Sequence, residues 1–204
     1  MKKNAAPIFF IYGIIAGILC RLTDFCPADS IWCFSSVATL FGFWIICIVI
    51  IVLKSTSNLS SGINTFLYMF GMTLSFYVLK YILGLLSPAF DNDEFQTNLF
   101  ILYSVLSLGC GIGAYILYWW NKEIKGNAVL YALPIGALLA ETIGVLIYFM
   151  NNKVFLFQLL MDIIAFVTLG AMFYKRVKSK VIYTAAIFVI TFTVYMIVYR
   201  PFLT

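Results

Sequence analysis

Seven apolar stretches, each about 18–23 residues long, constrain this chain more than any motif in it, because at ~1.5 Å per residue they match a ~30 Å hydrocarbon layer. They fall at 5–22, 31–53, 64–86, 98–120, 128–149, 154–174 and 181–199. A water-soluble fold could not hide so much apolar surface. Of 204 residues, 64% are hydrophobic and 10% charged, where soluble domains carry about a quarter charged residues. The expected fold is all-α: a polytopic membrane helical bundle with seven transmembrane helices. No Pro/Ser/Gly-rich or charged linker interrupts it, so 1–204 is expected to form a single integral membrane domain.

Basic residues then set the orientation. With seven spans, the amino terminus and the even-numbered loops collect Lys2, Lys3, Lys54, Lys122, Lys125, Lys175, Arg176, Lys178 and Lys180. The opposite side collects Arg21, Lys153 and Arg200, together with the acidic connection 87–97 carrying Asp91, Asp93 and Glu94. The positive-inside rule predicts an amino terminus inside and a carboxyl terminus outside, in the cell membrane. Lys2 and Lys3 precede a run that resembles a signal peptide, but no small-x-small cleavage site follows, so it is read as a retained helix. The net charge of +5 forms no continuous basic stripe, which argues against a nucleic-acid partner. Tyr118, Trp119 and Trp120 read as an interfacial aromatic belt.

Within this frame the candidate site centres on two acids. Asn151, Asn152 and Lys153 join the fifth and sixth spans. Glu141 lies as far before this turn as Asp162 lies after it, at a depth of ~15 Å by helical rise, near the middle of the hydrocarbon. Two carboxylates at one depth repel in low dielectric unless one holds a proton or a cation lies nearby. Lys80 lies within the third span, with Thr73, Tyr77 and Gly84 on its side, and Arg21 ends the first. These positions predict an outward-facing polar cavity for substrate binding or proton coupling, built from Glu141, Asp162, Lys80, Arg21, Gln158, Tyr77 and Tyr148. Pro134, seven residues before Glu141, can free a backbone carbonyl and bend the helix near the site, and Ser35, Thr39 and Gly42 give the second span a small, polar stripe. Two plainer readings stand beside this one: Lys80 snorkels to the interface, and the acids join helices.

Small residues offer a different role. Gly13 and Gly17 form a GxxxG pair, while Gly136, Ala140 and Gly144 form a stripe; either allows close approach of a helix, including one from a membrane-protein partner. Gly109, Gly111 and Gly113 thin the fourth span in the same way. Asp29 or Ser30 is placed to cap the second helix. The cysteines read as small apolar fillers, with a Cys26–Cys33 bridge left open should their loop face an oxidising compartment. Histidine is absent, and no Walker loop, HExxH, GxSxG or paired metal-ligand motif occurs. No cofactor or metal is therefore expected, and an enzyme acting on lipid would rest on Glu141 and Asp162 alone. Binding or transport of a small solute is the expected function. The alternative is a non-catalytic partner or assembly subunit of a larger transporter or signalling complex.

Arg21-Leu-Thr-Asp24 and Trp32-Cys-Phe-Ser-Ser36 resemble a family of uncharacterised small bacterial multi-pass membrane proteins, which implies the cytoplasmic membrane of a bacterium but no activity. Gly13-Ile-Ile-Ala-Gly17 and Gly136-Ala-Leu-Leu-Ala140 are placed like the repeats of small seven-helix solute carriers, a similarity that implies a solute. In size, small-residue helices and an outward-facing site the chain also resembles the substrate-binding subunits of energy-coupling-factor transporters, which commonly have six helices.

Overall fold

In hydrocarbon every backbone N–H and C=O must find a partner within the protein, and a helix achieves this within one segment. The computed structural model describes residues 6–86, 94–122 and 126–203, and among them every regular element is helical. Lys2, Lys3, Lys125, Asp91 and Asp93 lie outside the described residues. The α-helices are α1 (Ala6–Thr23), α2 (Ser36–Thr39), α3 (Phe41–Lys54), α4 (Asn58–Leu86), α5 (Thr97–Leu117), α6 (Asn127–Asn152), α7 (Leu156–Arg176), α8 (Lys180–Val194) and α9 (Arg200–Leu203). A 3₁₀ turn, Tyr118–Asn121, follows α5, and a π-helical turn, Tyr195–Tyr199, follows α8. Six helices are long and apolar enough to cross a membrane: α1, α4, α5 with its 3₁₀ turn, α6, α7 and α8 with its π turn.

The second predicted span is the exception. It is broken at Leu40, which is extended at φ −92° and ψ 156°, between the four-residue α2 and the 14-residue α3. Ser30 does not cap this helix; its Oγ accepts the Cys33 N–H at 3.1 Å inside a turn, and α2 begins only at Ser36. The loop expected after Lys54 is also shorter than predicted, because Asn58 and Ser61 turn toward carbonyls. Asn58 Nδ2 donates to Tyr115 O at 2.7 Å and Ser61 Oγ to Ala114 O at 3.1 Å. Polar residues that read as a loop thus belong to a helix, with their side chains satisfied by α5.

The distribution of polarity is the reverse of a soluble protein's. Glu141, Gln158 and Asp162 are fully buried, whereas Ile164 and Val167 on α7 and Phe188 and Val189 on α8 are each more than half exposed. Water would oppose both placements, and a lipid solvent favours both.

Contacts gather the chain into two compact units, Met1–Phe25 with Ile50–Tyr118 and Cys26–Val49 with Trp119–Thr204. In the first, α1 and α5 pack on α4. Gly13 lies against the Tyr68 carbonyl, and Gly17 against the Met72 carbonyl and Ser75 Oγ, so a side chain at either position would strike α4. The approach is close enough for Ser75 Oγ to donate to Ile14 O at 3.0 Å. Gly13→Ala is therefore expected to destabilise the unit by about 1–3 kcal/mol, as overpacking generally does, measured as a lower melting temperature in detergent.

In the second unit, α7 and α8 pack on α6. Gly136 admits Ile190, Gly144 admits the Tyr199 ring, and Thr191 Oγ1 donates to Gly136 O at 3.1 Å. These contacts correct the partner-docking expectation. Gly13, Gly17, Gly136 and Gly144 are filled by the chain's own helices and Ala140 is fully buried, so these residues offer no free face to another protein. Gly111 is likewise filled, by Gly62 and Phe66, while Gly109 and Gly113 have open space beside them. Trp120 departs from the expected belt too. It is 1% exposed and stacks on Tyr131, with ring centroids 5.3 Å apart.

Candidate functional site

The turn geometry brings Glu141 of α6 and Asp162 of α7 together as the hairpin count predicts, and Gln158, one turn before Asp162, joins them. Gln158 Nε2 donates to Glu141 Oε1 at 3.0 Å and to Asp162 Oδ1 at 2.9 Å. One amide thus spans two carboxyl groups, and this fixes its orientation because only its nitrogen can donate. All three residues are 0% exposed.

The helix break explains how Glu141 is accommodated. Gly42, the second residue of α3, donates its backbone N–H to Glu141 Oε1 at 2.8 Å. The first N–H groups of a helix lack intrahelical acceptors, and its N-terminus carries partial positive charge, so a carboxylate there is stabilised twice. A continuous helix through Leu40 would have spent this donor on the carbonyl one turn earlier. Glycine is required sterically as well: a side chain at 42 would collide with Asp162 Oδ1 and lie 2.8 Å from Gln158 Nε2. Tyr199 completes the shell, its hydroxyl donating to Glu141 Oε2 at 2.8 Å. It stands at the end of the π-helical turn, a form of helix often found at functional sites.

The two acids differ in what they receive. Glu141 accepts three hydrogen bonds and Asp162 one. Asp162 Oδ2 and Gln158 Oε1 are buried and have no hydrogen-bond partner among the described residues. Among the described residues no basic side chain bonds to either acid, and an ionised buried carboxylate left uncompensated costs several kcal/mol.

Two adjoining cavities of the second unit, about 550 and 380 Å³, share Thr39, Leu40, Tyr148 and Phe155 as walls. Phe41, Gly144 and Tyr199 line the smaller, so its wall is one tyrosine away from Glu141. The larger reaches Asp29, Cys33 and Asn152. The loop before α2 and the α6–α7 turn meet there, where the Leu156 N–H donates to Ile31 O at 2.9 Å and Phe34 packs on Phe157. Phe155 has a left-handed backbone, φ 74°, unusual for a bulky residue, and stacks on Tyr148 with centroids 5.0 Å apart. Such outliers gather where a side chain must be held at a particular place, here the shared wall of both cavities.

The remaining predicted residues lie in the first unit and make other contacts. Lys80 Nζ donates to Gln96 Oε1 at 2.9 Å. Arg21 pairs with Asp24 at 2.7 Å and lies over the Phe25 and Phe76 rings. Tyr77 is buried among Phe76, Phe100 and Tyr103. The acids themselves take neutral donors, Glu141 from Gly42, Gln158 and Tyr199 and Asp162 from Gln158. Cys26 and Cys33 are both free thiols.

Sequence reasoning singled out Gly42 only as part of a stripe and passed over Tyr199. The signal for Tyr199 is weak: it ends the last apolar run, one turn beyond Tyr195. No protein-family model, curated protein or solved structure matches this chain. The functional reading therefore stands on its own residues.

Proposed function

We propose that this chain is a multi-pass protein of a bacterial cytoplasmic membrane that binds or transports a small solute, with Glu141, Gln158 and Asp162 at the inner end of the route. The observation that carries the reading is the burial of two carboxyl groups on one shared amide, without a basic partner, beside a broken helix and a cavity. Packing alone gives no reason to keep two acids where each charge is costly, whereas a polar route does. Discontinuous helices whose ends face a polar site are also how solute carriers line a path through lipid.

In this reading α2 and α3 together make the second of seven crossings, with the amino terminus inside. The loop before α2 and the α6–α7 turn then share the outer side, in keeping with their contact in the second unit. The cavities beside them would open outward. A carboxyl-terminal alkaline phosphatase fusion is accordingly expected to be active and a carboxyl-terminal fluorescent protein dark; the reverse pattern would exclude the seven-crossing arrangement.

The solute reading is tested with purified protein against a panel of sugars, amino acids, vitamins and organic cations. At least one class is expected to raise the melting temperature of the wild type, and Asp162→Asn to abolish that rise while remaining monodisperse. A panel without effect on the wild type, or a rise unchanged in the variant, would count against a solute site here.

A further inference from the structure

Resting on that reading of the site, we infer that Asp162 and Gln158 form a subsite for one monovalent cation, with Asp162 Oδ2 and Gln158 Oε1 as its contact atoms, while Glu141 is the positioning acid. The division follows from the hydrogen bonds. Glu141 has a donor on each oxygen and the α3 N-terminus against Oε1. Its negative charge faces donors and the partial positive charge of a helix N-terminus. Among the described residues Asp162 has one donor, on Oδ1, and that donor, Gln158 Nε2, is shared with Glu141.

What is left is specific in its chemistry. Two fully buried oxygens, one carboxyl and one amide, come from side chains already joined by a hydrogen bond, and neither oxygen has a partner among the described residues. With Asp162 ionised both are acceptors only, since the donors of Gln158 are committed to the two acids. An anion or an apolar group would leave both unsatisfied. A species bringing positive charge or strong donors would satisfy either.

Charge limits the species to a single unit. With Glu141 compensated by helix and donors, Asp162 calls for one positive charge. Among the described residues no group of three or more acidic, cysteine or histidine side chains is arranged to hold a metal ion. The oxygen-only contact set fits a hard ion such as sodium or the ammonium end of a small solute. Gly42 keeps the carboxylate in place, since its missing side chain leaves the space that Asp162 Oδ1 occupies.

The test uses the full chain in detergent with choline chloride holding ionic strength constant. Sodium chloride and methylammonium chloride are titrated separately, and melting is followed. At a hundredfold excess over Kd the responding cation is expected to raise the midpoint by about 5–10 °C. A response to sodium alone identifies an inorganic ion, and a response to methylammonium alone identifies the ammonium of a solute. Asp162→Asn is expected to reduce the rise to the choline baseline. Equilibrium dialysis of radioactive sodium, or of labelled methylammonium, against the wild type keeps the idea testable should the variant not fold; one displaceable site per chain is expected. Absence of binding by both cations, a full response in Asp162→Asn, or a response to acid alone would overturn the subsite. Cation binding with no solute response would retain the subsite and remove the solute reading, and the opposite result would do the reverse.

Discussion

Glu141→Leu is expected to destabilise the protein by about 3–5 kcal/mol, the range for removing one member of a buried charged network. Three donors lose their acceptor at once: the Gly42 N–H, Gln158 Nε2 and the Tyr199 hydroxyl. Each is buried or half-buried, so water cannot fully replace the carboxylate, and an unmet buried donor costs about 1–3 kcal/mol. The loss reaches three elements, since these donors belong to α3, α7 and the turn after α8. Glu141→Gln separates charge from geometry. Its carbonyl oxygen can still receive Gly42 and Gln158, while its amide nitrogen can donate to the Tyr199 oxygen, which accepts as well as donates. The interaction of negative charge with the helix N-terminus is lost, worth about 0.3–2 kcal/mol, while the cost of holding that charge in low dielectric beside Asp162 is relieved. Melting in detergent should therefore place Glu141→Gln close to the wild type and both well above Glu141→Leu. Equal losses for the two variants would mean that charge, rather than hydrogen bonding, holds the broken helix.

The ranking depends on a contact that was half legible in the sequence. Counting from the Asn151–Lys153 turn was enough to set Glu141 and Asp162 at one depth, because helical rise is fixed and the turn is short. Gln158 followed from its spacing to Asp162. The break at Leu40 was not legible, for neither Leu40 nor Phe41 is a helix breaker and the surrounding run is apolar enough to read as one span. Its cause is nonlocal: the donor freed at Gly42 is taken by Glu141, 99 residues away. Tyr199 escaped for a related reason. A π turn inserts extra chain between α8 and its end, so the side of the helix that a 3.6-residue period assigns is not the side that results. Gly109 and Gly113 have nothing beside them, whereas Gly13, Gly17, Gly111, Gly136 and Gly144 were read correctly as places of close approach. Their partners could have been internal or external, and periodicity does not distinguish the two.

Gly42 is where the stability of the break and the chemistry of the pocket meet, so Gly42→Ala is expected to have a large effect for the addition of one methyl group. That carbon would collide with Asp162 Oδ1 and lie 3.0 Å from Asp162 Cγ. The carboxyl group has to rotate away, breaking the 2.9 Å bond from Gln158 Nε2 and displacing Oδ2. Alanine also favours helix over glycine by about 1 kcal/mol, a gain that partly offsets the clash. The expected cost to stability is thus about 1–3 kcal/mol, whereas cation or solute affinity should fall at least tenfold, because the displaced atoms are the proposed contacts. Gly109→Ala supplies the control, having nothing within 4 Å of the added carbon; it should leave binding unchanged and melting equal or slightly higher. Measured side by side, the two substitutions separate a general effect of losing glycine in a helix from the specific loss of the space beside Asp162. If Gly42→Ala binds as the wild type does, the carboxylate is free to relocate without consequence and cannot be the atom group that selects the ligand.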